Sequence, residues 1–197
     1  MNLSQMFSKR TIILGVLSCL LLTGCSVVSE ILPDRAATNV LSGREGANGP
    51  VLVVKIDDTT QAHPQIGLED ADIVYIEQVE GGLTRLAAIF SSVIPQRIGP
   101  VRSARISDIE IMSQLGRVAF AYSGAQSKLL PVIAAANLQD LGAQRQSPTI
   151  FTTDPNRVQP YAMVLRADLL MQKIRDDKYQ IDSAKSIGFK FGELQEG

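Results

Sequence analysis

The sequence predicts a mixed α/β (α+β) domain: a layered sheet with an antiparallel hairpin, and helices packed on one side. Three observations carry this. Residues 51–56 are an apolar, β-branched run of strand length, and residues 72–79 and 83–90 are strand-like runs. Gly81-Gly82 separates the second run from the third, and paired glycines supply the positive φ that tight hairpin turns need. Farther along, Met163, Ala167, Leu170, Met171 and Ile174 recur at helical spacing within residues 162–175.

The chain opens with Lys9 and Arg10, followed by a twelve-residue apolar run at positions 11–22. A bilayer-spanning helix needs roughly 20 such residues, so a basic start and a short apolar stretch read as an export leader. The run ends in Leu22-Thr23-Gly24-Cys25, a branched residue, two small ones and a cysteine. That order fits a lipoprotein cleavage box: small residues enter a narrow protease cleft, and the Cys25 thiol accepts the diacylglycerol. Residues 1–24 are therefore expected to leave as a signal peptide. Cys25 is expected to carry acyl chains such as palmitate, which anchor the chain in the membrane on its extracytoplasmic face. Residues 25–49, rich in Ser, Asn and Gly, read as a flexible tether, and residues 50–197 as the domain.

Within the domain, a two-residue turn at Gly81-Gly82 would set Glu80 opposite Leu83, Gln78 opposite Arg85 and Ile76 opposite Ala87. Glu80 and Arg85 then share a face, while Glu77 points the other way with Tyr75, Leu86 and Phe90. Residues 95–105 form a loop rich in turn formers and arginine. Ser107 and Glu110 suggest a capping box, Ile106 and Ile111 a hydrophobic staple, and Gly116 a left-handed helix end. Residues 117–122 read as a buried strand, and residues 129–136 as a short helix with Pro131 in its first turn. Phe189-Lys190-Phe191 alternates as a strand does, and nothing follows to cover it, so a C-terminal portion is expected to be missing.

Composition narrows the function classes. The formal charge is −1 and falls by two more when Lys9 and Arg10 leave, which argues against a nucleic-acid partner. Cys19 leaves with the leader and Cys25 carries lipid, so the body has no thiol for a disulfide or a metal. His63 is the sole histidine; before Pro64 it reads as a turn or packing residue rather than a base.

Several blocks fall in order over about fifty residues: Lys55-Ile56-Asp57, His63-Pro64-Gln65-Ile66-Gly67-Leu68, Ala71-Asp72-Ile73-Val74-Tyr75, Val79-Glu80-Gly81-Gly82-Leu83-Thr84-Arg85, and Ile98-Gly99-Pro100-Val101-Arg102-Ser103-Ala104-Arg105. In these the chain resembles the YerB-like family of bacterial lipoproteins, whose domain has no known function. His63 stands where the family often has arginine, and Pro160-Tyr161-Ala162-Met163 where it often has Pro-His-Asn-Leu. The resemblance implies an envelope lipoprotein with a mixed α/β fold and no assigned cofactor.

The sharpest chemical feature is the concentration of Arg97, Arg102 and Arg105 in one loop, with Arg85 on the hairpin. Guanidinium forks suit carboxylate and phosphate, and Ser103 adds a donor. Arg85, Arg102, Ser103, Arg105, Glu80 and Asp57 are the candidate site, taking an anionic cell-wall component or an envelope protein. The alternative role for these arginines is structural, pairing with Glu80, Glu77 or Asp57. A non-catalytic binding or scaffolding module follows from the first reading. The competing function is a cell-wall-acting hydrolase or transferase that uses Asp57 and Glu80 as paired carboxylates.

Overall fold

The computed structural model describes residues 37–192. The leader, Cys25 and the first part of the expected tether lie outside the described residues. Among those described, no helix is long and apolar enough to cross a membrane.

The described residues form eight strands and three α-helices: β1 (Leu52–Asp57), β2 (Ile73–Gln78), β3 (Thr84–Phe90), β4 (Arg97–Ile98), α1 (Ser107–Ser113), β5 (Val118–Ala121), α2 (Leu130–Ala135), β6 (Leu138–Asp140), β7 (Phe151–Thr153), β8 (Met163–Arg166) and α3 (Ala167–Asp176). The main sheet has the order β2-β3-β1-β5-β6, and a small sheet the order β4-β8-β7. β1 runs antiparallel to β3 and parallel to β5, and β5 runs parallel to β6. The sheet is thus antiparallel on one side of β1 and parallel on the other.

Every residue of the central strand β1 is buried, the charged Lys55 and Asp57 among them. Its two faces feed two cores. Val53, Ala87, Ile89 and Phe120 pack with Met112 and Leu115 at α1 and Ile133 of α2. Leu52, Val54, Ile56, Leu86, Ala88 and Phe90 pack against Leu165, Leu170, Met171 and Ile174. The mixed α/β class is as expected, with the helices divided between the faces: α1 and α2 on one, α3 and the small sheet on the other.

Several local expectations change. Residues 163–166 join a strand rather than a helix, because β8 pairs with both β7 and β4 and buries Val164 and Leu165 completely. The helical stripe begins at Ala167 and runs through Leu170, Met171 and Ile174, all buried. Residues 37–49 are not a free tether. Asn39 is fully buried, donating to the Ala47 carbonyl at 2.9 Å and accepting from the Leu41 amide at 2.9 Å, and Leu41 enters the core. Their Asn, Ser and Gly content serves a compact turn that satisfies its own polar groups. Phe189 and Phe191 lie outside any strand and are half-exposed.

The hairpin also differs in register. Val79 N–H donates to the Leu83 carbonyl, closing a three-residue turn of Glu80, Gly81 and Gly82, both glycines left-handed. Gln78 therefore pairs with Thr84 and Glu77 with Arg85. One residue of slip exchanges the faces of β2 against β3. Glu77, not Gln78, lies beside Arg85, and the other face takes Ile76 with Leu86.

Candidate functional site

The site forms where β1 and β5 part. The strands are in register from Leu52 with Ala119 to Val54 with Ala121. Beyond that point the arginine segment wedges between their C-terminal ends. Asp57 N–H donates to the Pro100 carbonyl, Arg102 N–H to the Lys55 carbonyl, Ser123 N–H to the Arg102 carbonyl and Ala104 N–H to the Gly124 carbonyl, at 2.9–3.0 Å. Backbone bonds on both sides fix the path of residues 100–104, so their side chains project from a rigid mount. In open sheets, ligands bind at such carboxyl-end crevices, where the connections diverge to opposite sides.

Two layers of charge are stacked here. The deep layer centres on Lys55, whose side chain is wholly buried. Its Nζ donates to Glu77 and, at 2.8 Å, to Asp108 Oδ1. Ser107 Oγ donates to the other oxygen of Glu77, and Asp108 Oδ2 accepts from the Arg105 amide at 2.6 Å. The expected capping box is replaced by this arrangement: Ser107 sits inside α1 and turns its hydroxyl to Glu77. Ile106, expected as a staple, is 62% exposed. Burial and the nearby Glu77 charge push the Asp108 carboxyl up to about 6 against the pull of Lys55. Burial also disfavours the Glu77 anion, but hydrogen bonds from Lys55 and Ser107 outweigh it and hold that carboxyl below its ordinary range.

The upper layer contains the residues singled out from sequence. Asp57 is buried; its Oδ1 accepts from the Thr59 amide and hydroxyl at 2.8 and 2.5 Å. Arg102 Nε lies 2.5 Å from Asp57 Oδ2, an ion-pair contact not aligned as a hydrogen bond, and the guanidinium sits 5.9 Å from the Tyr161 ring centre. Arg105 grips Glu80 Oε2 through Nε at 3.0 Å and a terminal nitrogen at 2.7 Å. Arg85 and Arg105 both donate to the Ser103 carbonyl, at 3.0 and 3.4 Å. Arg85 pairs with no carboxylate among the described residues. Burial, and then the neighbouring Arg105 and Arg102 charges, lower its pKa. Ser103 Oγ meets Ser123 Oγ at 3.5 Å.

Arg85, Arg102, Ser103, Arg105, Glu80 and Asp57 are thus brought to one place. Arg97 is not: it pairs with Asp154 at 3.8 Å. Sequence reasoning missed Lys55 and Asp108. The available signal was a lysine inside an otherwise apolar central strand, which has to find buried acids. Beside Arg105 opens a cleft of about 600 Å³, lined by Glu80, Arg105, Ile106, Gln126, Leu129 and Val132 among others.

Comparison with known proteins agrees with this architecture. A Bacillus subtilis protein named "Putative lipoprotein YerB" is 52% identical over 56 residues, 28% of this chain and 17% of that protein. The crystal structure of YerB from Bacillus subtilis superposes with a TM-score of 0.69 at 24% identity, covering 80% of this chain and 56% of that one, and so shares the fold. The chain thus spans little more than half of the solved relative. A family model described as "Protein of unknown function (DUF3048) N-terminal domain" matches residues 37–180, and the chain belongs to that family.

Proposed function

We propose that this chain is the extracytoplasmic part of a lipid-anchored envelope lipoprotein, and that its domain is a non-catalytic module binding an anionic group at Arg85, Arg102, Ser103 and Arg105. The anchor rests on the Leu22-Thr23-Gly24-Cys25 box and on a relative whose name is that of a lipoprotein. The binding role rests on one observation: three guanidiniums converge at a rigid crevice where, among the described residues, two carboxylates pair with Arg102 and Arg105 and Arg85 has a backbone carbonyl alone. The partner is an anionic wall component or an envelope protein, and no nucleic acid. The hydrolase reading is weakened because Asp57 and Glu80 are each tied to an arginine, and hydrogen bonds from Arg105 hold the Glu80 carboxyl below its ordinary range. A general acid needs its pKa raised instead.

Thermal shift with inorganic phosphate, teichoic acid fragments and muropeptides tests the reading. A bound anion at 100-fold excess over Kd stabilises by about 2.7 kcal/mol. Arg85→Ala is expected to leave the apo melting temperature nearly unchanged and to abolish that gain. A gain that survives Arg85→Ala, or no gain with any anion, rejects the site.

A further inference from the structure

We propose that the cleft beside Arg105 takes a short peptide bearing a free carboxylate next to an aliphatic residue, and that Glu80 fills the carboxylate's place until the peptide arrives. This rests on the anion-binding reading above and names its ligand class.

Glu80 shows what the cleft accepts. Its Oε2 takes both hydrogen bonds from Arg105, and its Oε1 accepts from Gln126 Nε2 at 3.4 Å. The carboxylate therefore reaches from the hairpin turn across the cleft mouth to the segment leading into α2. The Arg105 side chain is 19% exposed and that of Glu80 61%, so the receptor is set into the wall and its occupant lies on the surface. Nothing lies within 4 Å of where a side chain would stand at Gly81 or Gly82, so open space surrounds the turn, and an outward swing of Glu80 has only its bonds to Arg105 and Gln126 to break.

The rest of the lining selects an aliphatic neighbour. Ile106 is 62% and Val132 39% exposed, and both line the cleft with Leu129. Apolar side chains left open in a concave surface beside a charged group are the usual make-up of a small-ligand site, and about 600 Å³ lies within the usual size range. A bare phosphate would leave that wall unused. Lys128 on the rim pairs with no carboxylate among the described residues and supplies a second positive charge.

Calorimetric titration tests this with three probes: N-acetyl-Ala-Leu with a free C-terminus, its C-terminal amide, and inorganic phosphate. The peptide acid is expected to bind the wild-type domain and the amide not to bind. Glu80→Gln removes the competing anion, and Glu80→Ala does so without leaving an amide near Arg105. Either is expected to tighten the peptide acid about fivefold, the occupancy ratio of a surface ion pair. Ile106→Asp, at an exposed position, is expected to abolish binding while circular dichroism shows the fold intact. Equal binding of acid and amide, or no gain in both Glu80 variants, overturns the proposal. If phosphate binds in an Arg85-dependent manner and the peptide acid does not, this inference fails and the anion site stands. If no probe binds, this inference fails, and the anion site stands or falls on the thermal shifts with teichoic acid fragments and muropeptides.

Discussion

Replacing Lys55 with methionine keeps the stem that packs inside the sheet and removes only the ammonium. In the wild type that group lies between Glu77 and Asp108, with both lysine and aspartate side chains fully buried. Without it two carboxylates remain in a site closed to water. Glu77 keeps the Ser107 hydroxyl and Asp108 keeps the Arg105 amide, so neither is wholly stranded. Breaking a buried pair by removing one partner costs about 3–5 kcal/mol. For a domain of this size that is a fall in Tm of about 6–20 °C at pH 7.5. The charge argument also sets a pH dependence. Asp108, already pushed up to about 6, and Glu77, stripped of the Lys55 bond and charge that lower it and left with Ser107 against the cost of burial, both favour the proton when folded. A folded state that binds more protons than the unfolded one gains stability as pH falls. The deficit of Lys55→Met should therefore shrink between pH 7.5 and pH 5. Thermal melts of both proteins by circular dichroism across that range decide the matter. A Tm within about 3 °C of wild type at pH 7.5 refutes the buried-pair reasoning; a large deficit that ignores pH assigns the loss to packing instead.

In the wild type the two acids act in opposite senses. Asp108, raised above 3.8, contributes stability that is full below about pH 4 and gone above about 6; Glu77, lowered, contributes stability present above 4.5 and lost below it. The Lys55 variant should thus show a steeper pH profile than the parent. Arg102→Ala is expected to cost about 2–4 kcal/mol by leaving the buried Asp57 Oδ2 without its cation, less than a fully stranded charge because Thr59 still serves Oδ1; urea unfolding measures it. Gly81→Val and Gly82→Val should each cost about 1 kcal/mol or more through the left-handed backbone alone, since nothing packs there, and unchanged melting in both would displace the turn. Asn39→Ala should cost about 1–3 kcal/mol by leaving the Ala47 carbonyl and Leu41 amide unpaired. Mass spectrometry of the membrane fraction is expected to find Cys25 acylated and N-terminal; an unmodified Cys25 removes the anchor.

What the sequence determined by itself was local. The three strand-length runs became β1, β2 and β3, Gly116 took the left-handed conformation, though beyond the end of α1, which Gln114 caps, and the stripe from Ala167 to Ile174 became the buried face of α3. Each follows from side-chain period or backbone sterics within a few residues, which no distant partner has to supply. The arginine cluster was legible for a similar reason: acids and arginines concentrated in a short stretch have few places to go. Tertiary structure alone decided the rest. Whether the turn after β2 holds two residues or three moves Glu77 from one sheet face to the other, and that choice is made by Val79 closing on Leu83. Residues 163–166 are strand because β4 and β7 flank them, although their apolar pattern equally suits a helix. Asn39 and Leu41 fold onto the domain because Ser91 and the core stand ready to receive them. The Lys55–Glu77–Asp108 cluster joins residues 22 and 53 positions apart in the chain, and a buried charge is held by whichever partners the fold carries within about 3 Å of it.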